Sequence, residues 1–179
     1  MQGGPDHVAD HIYFVTNTGE PRQIWSPAPG RSTGGMVIDR SVGEDVVWTS
    51  ADRDGMIGTN WELWTAPVAN VAGNFAARCV GKFVDGIASS LSANAGFAVV
   101  TNEQHRSTVI RLSDGATWQA PMVPAFKWLS PLWVDDTYVW LTAATNTTTP
   151  NPWWTTNAIV RLERSRFTAG APLPACGNE

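Results

Sequence analysis

Apolar and polar positions along this chain alternate in short runs, with almost no helical period, and the runs recur in a fixed order. Four of them end in threonine and then meet a polar turn: 12–17 (IYFVTN), 46–51 (VVWTSA), 97–102 (FAVVTN) and 138–143 (YVWLTA). Each is followed, after a loop of variable length, by a second run: 23–27 (QIWSP), 62–67 (ELWTAP), 109–115 (VIRLSDG) and 159–164 (IVRLER). Runs rich in β-branched and aromatic residues and bounded by polar turns predict hairpins. A further short segment precedes three of the first runs, within 34–45, 86–96 and 128–137, and another candidate strand follows two of the second runs, at 76–83 and 116–121.

Aligning Thr16, Thr49, Thr101 and Thr142 gives spacings of 33, 52 and 41 residues, around the ~40–50 that repeated β-propeller blades show. The order is inner strand, polar turn, apolar strand, loop, second apolar strand, outer strand. That is the rhythm of a four-stranded blade. The expected fold is therefore all-β and propeller-like, with three to four antiparallel four-stranded blades over residues 11–169. Residues 1–10 are expected as an exposed N-terminal segment and 170–179 as a C-terminal tail.

The stretch VVWTSADRDG followed by NWELWTAP, within 45–67, resembles the PD40 blade repeat of TolB-like (WD40-like) propellers. It has that repeat's apolar strand, its TSxRDG-type turn and its W-E-[LI]-[WY] strand. The remaining blades carry only a degenerate form of the pattern. The resemblance implies a propeller fold. PD40 blades occur in binding scaffolds and in accessory domains of peptidases, so it implies no single activity. Propellers of that family have six or more blades, whereas this chain offers three fairly complete ones and a leading hairpin at 12–27. Either the chain is a compact four-bladed form whose ends complete one blade, or it is an incomplete propeller whose open edges are completed by another copy or a second chain.

Composition narrows the partners. A chain of 179 residues with 43% hydrophobic and 16% charged positions is globular, because disordered chains combine low hydrophobicity with high net charge. The net charge of −4 and scattered basic residues argue against nucleic acid, which needs clustered cations to neutralise phosphate. No apolar run approaches the ~20 residues of a membrane span, and no signal-peptide pattern follows Met1. Cys79 and Cys176 are the only cysteines, and their spacing is not that of a metal site. They are either two separate buried thiols or a disulfide closing a long loop, worth roughly 4–5 kcal/mol in the chain-entropy model. The reading adopted is a disulfide tying the C-terminal tail to an outer strand, and with few lysines it points to an extracytoplasmic protein, secreted or periplasmic. Ten tryptophans against six phenylalanines fit either a recognition surface or a β core.

The chemistry-bearing residues give little for catalysis. Asp52, Arg53, Asp54 and Gly55, with Asn60 and Glu62 beyond, offer calcium-type oxygens, but the spacing is not that of an EF-hand loop and suits a tight turn. His7 and His11 lie four apart, which on a strand means about 13 Å. No serine or cysteine stands in a nucleophile-elbow context. Carboxylates for glycoside hydrolysis must flank a cleft, and the inner segments carry Asp39 and little else acidic. No catalytic residue, metal or cofactor is expected.

The loops at 51–61, 103–106 and 144–156, and the links at 84–86 and 122–127, are expected on one face. They bring together Asp52, Asp54, Trp61, Asp85, His105, Arg106, Trp153 and Trp154 as a ligand-binding set. The function expected is a non-catalytic binding or interaction module that recognises a carbohydrate or protein partner. The alternatives are a propeller-type hydrolase, acting as a glycosidase or alongside a peptidase, and a partial propeller acting as a subunit of a larger assembly.

Overall fold

The structure, a computed structural model, describes residues 11–15, 19–39, 44–52, 59–70, 75–83, 90–102, 106–123, 126–145 and 158–177. Among them there are fourteen β-strands and no α-helix. Strands β1 (Ile12–Val15) and β2 (Pro21–Trp25) form a two-stranded hairpin. The first sheet is an antiparallel meander of β3 (Arg31–Asp39), β4 (Asp45–Asp52), β5 (Thr59–Pro67) and β6 (Arg78–Lys82). The second runs β7 (Ser90–Asn94), β8 (Phe97–Thr101), β9 (Ser107–Arg111) and β10 (Thr117–Gln119). The third has β11 (Phe126–Val134), β12 (Tyr138–Thr145) and β13 (Ala158–Glu163). A last two-residue strand, β14 (Thr168–Ala169), returns to the edge of the second sheet and pairs with β10.

The period-two alternation of these strands decides how the sheets stack. In the first sheet Val46, Trp48 and Ala66 face the hairpin and pack with Ile12, Ile24 and Trp25. Val47 and Leu63, on the opposite face, pack against Ala98, Val100 and Ile110 of the second sheet. That sheet turns Val99 and Val109 the other way, onto Leu129, Val139, Leu141 and Ala143 of the third. The order is hairpin, first sheet, second sheet, third sheet, and the two middle sheets are apolar on both faces. Tryptophan fills the first interface. Trp48 is fully buried, with Trp25 at 5.2 Å and edge-on, Trp64 at 6.4 Å and stacked, and Phe75 at 5.9 Å.

Polar ties fix the stack at its ends. Asp39, buried at the end of β3, accepts the backbone N–H groups of Ala95 (3.0 Å) and Gly96 (2.8 Å) in the β7–β8 turn. Ala95 and Gly96 both have positive φ, 55° and 76°, as a tight two-residue hairpin turn requires. The carboxylate thus holds a turn that alanine at position 95 would otherwise disfavour.

Residues 170–177, expected as a tail, run as a strap across the outer edges of two sheets. Gly170 N–H donates to Thr117 O at 3.0 Å, Leu173 N–H to Gly115 O at 2.9 Å, and Lys82 N–H to Pro174 O at 2.9 Å. Gly81 permits the crossing, because a Cβ there would collide with Leu173 and lie 3.0 Å from Pro174 O. Cys79 of β6 and Cys176 are disulfide-bonded, with Cα atoms 6.2 Å apart across a sequence separation of 97. The third sheet lacks the expected outer strand among the described residues, since β14 pairs with β10 of the second sheet. Thiol titration of the unfolded, unreduced protein is expected to find no free thiol. Cys176→Ser is expected to cost about 4–5 kcal/mol of stability, the entropy of a loop of roughly a hundred residues, as read by chemical denaturation.

Candidate functional site

At the loop end of the first sheet, polar residues take over the face that carries Trp48 and Trp64 further along. Register places Ser50 opposite Glu62, Glu62 opposite Lys82, and Arg31 opposite Asp52. Arg31 and Glu62 are both buried. The Arg31 guanidinium contacts Asp52 at 2.6 Å and Glu62 at 3.0 Å, and donates to the carbonyls of Asn60 (2.9 Å) and Ser50 (3.2 Å). Glu62 is also met by Lys82 at 3.3 Å and by the Trp64 indole N–H at 3.2 Å. The Asn60 side-chain amide donates to Asp52. Every charge in the network has a partner of opposite sign. Such pairing offsets the desolvation cost of burying a carboxylate and a guanidinium.

Of the eight predicted ligand-binding residues, Asp52, Trp61 and Arg106 lie within the described part of the chain; Asp54, Asp85, His105, Trp153 and Trp154 lie outside it. Asp52 is part-exposed and bound to Arg31. Trp61 packs against the core between the first and second sheets, and its ring is 2.7 Å from where a Cβ at Gly34 would stand. Arg106 is exposed at the start of the β8–β9 return, where its N–H donates to the Asn102 side chain at 3.0 Å. Asp52 and Trp61 thus share the loop end of the first sheet, and Arg106 the corresponding end of the second.

Among the described residues, one set of metal-type donors comes together, and its chemistry does not suit an ion. Glu62, Cys79 and Cys176 present their ligand atoms within 4.8 Å of one another. Both sulfurs are spent in the disulfide and the carboxylate is held by two cations.

Sequence reasoning missed a second polar cluster, between the second and third sheets. A cleft of about 240 Å³ is lined by Val109, Trp118, Asp136, Arg164, Ser165 and Phe167. The Arg164 guanidinium carbon sits over Phe97, 3.7 Å from the ring centroid, and 5.9 Å from that of Trp118; Arg111 stands 5.5 Å from the Trp118 centroid. Burial pushes the Arg164 guanidinium below the ordinary arginine range, opposed by Asp136 and Asp135. The hydrogen bond from Arg111 holds the Asp114 carboxyl down at about 2, helped by the Ala116 N–H. The only sequence signal was the repeated Arg-Leu at 111–112 and 161–162 with Arg164 just beyond it.

No family model, curated protein or solved structure matches the chain.

Two measurements check these assignments. Arg31→Ala, which leaves the buried Glu62 with Lys82 as its remaining cation among the described residues, is expected to destabilise the fold by about 3–5 kcal/mol, and Arg31→Met combined with Glu62→Leu to recover most of that loss, both read by denaturant titration. For Asp114, the folded value lies below the ordinary 3.8, so its contribution to stability is present above that value and is lost as pH falls through about 2. Carboxyl NMR is expected to show a midpoint of about 2 that moves up towards the ordinary value in Arg111→Ala.

Proposed function

We propose that the chain is a non-catalytic interaction module, its hairpin and three sheets set as successive blades of a propeller-like body of PD40 type. It recognises a carbohydrate or protein partner through the loops at the β4–β5, β8–β9 and β12–β13 ends. One observation carries the non-catalytic part: among the described residues, the acids Asp39, Asp52 and Glu62 of the first sheet are engaged internally. Asp39 accepts two turn amides, Glu62 is held by Arg31, Lys82 and Trp64, and Asp52 by Arg31 and Asn60. A general acid or base must present its oxygen to substrate, and these oxygens face their own scaffold. Loops on a rigid scaffold are where recognition concentrates, and the charge network makes the loop end of the first sheet such a scaffold. The disulfide supports an oxidising, extracytoplasmic setting.

The experiment is a panel of oligosaccharides and peptides followed by tryptophan fluorescence and by product analysis. Saturable binding without turnover is expected. It is lost in Trp153→Ala with Trp154→Ala while the melting temperature stays where it was. Turnover of a glycoside or peptide that disappears in Asp39→Asn would establish the hydrolase instead. A second reading, a subunit of a larger assembly, is favoured by the outward face of the third sheet, where Trp133 and Ile159 are 46% and 64% exposed.

A further inference from the structure

The three sheets present equivalent positions in the same order, so each can be compared with the next. Val47 opposite Thr65, and Thr49 opposite Leu63, lie on the face of the first sheet that the second sheet covers, and all four are buried. Val99 opposite Val109, and Thr101 opposite Ser107, occupy the same places on the second sheet, covered by the third and again all buried. The third sheet has Trp140 opposite Arg161 and Thr142 opposite Ile159 at these places. Nothing among the described residues lies on them as a further sheet. Trp133 stands beside Trp140 and extends the row. The Arg161 guanidinium rests 4.6 Å from the Tyr138 ring centroid and 5.6 Å from that of Trp140. Trp, Tyr and Arg are the side chains that carry most binding energy at protein interfaces.

We propose that this face is a self-association surface that meets the same face of a second copy about a twofold axis. Its charges choose that occupant. Arg161 and Glu163 stand two residues apart on β13, both exposed and on the outward side. A twofold axis passing between them sets Arg161 against Glu163 of the second copy, and the reverse. A twofold contact is self-complementary in just this sense, and complementary charge fixes register. The chain's other outward sheet face, on the hairpin, carries Tyr13 and Val15 with Gln23 and Pro21 opposite. Among the described residues these four offer no charge to either residue, so head-to-tail stacking on them leaves both unpaired. The surface deepens the assembly reading above and is separate from the loop ends of the first reading.

Sedimentation equilibrium from low to several hundred micromolar is expected to show a reversible monomer–dimer equilibrium that stops at two. Trp133→Ser with Ile159→Asp, both at exposed positions, is expected to give a monomer with unchanged far-UV circular dichroism and melting. Arg161→Glu raises the dissociation constant about ten-fold or more, and adding Glu163→Arg restores it, because the exchange recreates the reciprocal pairs. A chain that stays monomeric over the whole range overturns the proposal. So does growth beyond two, which is the mark of head-to-tail stacking, or a dimer indifferent to these substitutions. A monomer that still binds a partner through its loops sinks this surface alone. A dimer that binds nothing sinks the loop reading alone.

Discussion

A β-sheet that is apolar on both faces has no stable place at a protein surface, and the first two sheets are of this kind. Each therefore needs two covers, and the rest of the molecule is arranged to supply them. The hairpin covers one side of the first sheet with Ile12, Ile24 and Trp25, and the second and third sheets follow in turn. Asp39 fastens the second sheet's turn to the first sheet's end. Burial alone is non-directional; ties of this kind set how the layers register.

Most strands were legible because the alternation that folds them is written in residue type. The four threonine-terminated runs became β1, β4, β8 and β12, and their partners became β2, β5, β9 and β13. What escaped was β14. Two residues, Thr168 and Ala169, carry no period, and their pairing with Trp118 and Gln119 depends on the strap beyond them. Pro131, inside β11, lies in a strand that pairs on one side only, where proline is tolerated.

The polar interior was less legible. Arg31 follows Pro29 and Gly30 and reads as part of a surface turn, yet it is buried against Glu62. Nothing local links two residues so far apart. The usable signal was a run of polar positions, Ser50, Asp52 and Glu62, on the face that carries Trp48 and Trp64 further along. Of the two readings of the tryptophan excess, the core one is met in the first interface. Trp48 is core, with an indole N–H that has no hydrogen-bond partner among the described residues, whereas Trp133 is half out in solvent.

The strap has a consequence for synthesis. Its residues leave the ribosome after all three sheets, yet they complete the edge of the first. Until Leu173 and Pro174 arrive, the β6 edge at Gly81 and Lys82 lacks its neighbour, and Cys79 waits as a thiol through 97 further residues. An unpaired edge and an unspent thiol are both open to other chains. The nascent chain is thus most vulnerable to mispairing after its apolar layers have formed and before residues 170–177 have emerged. Its yield then depends on how quickly oxidation follows their emergence.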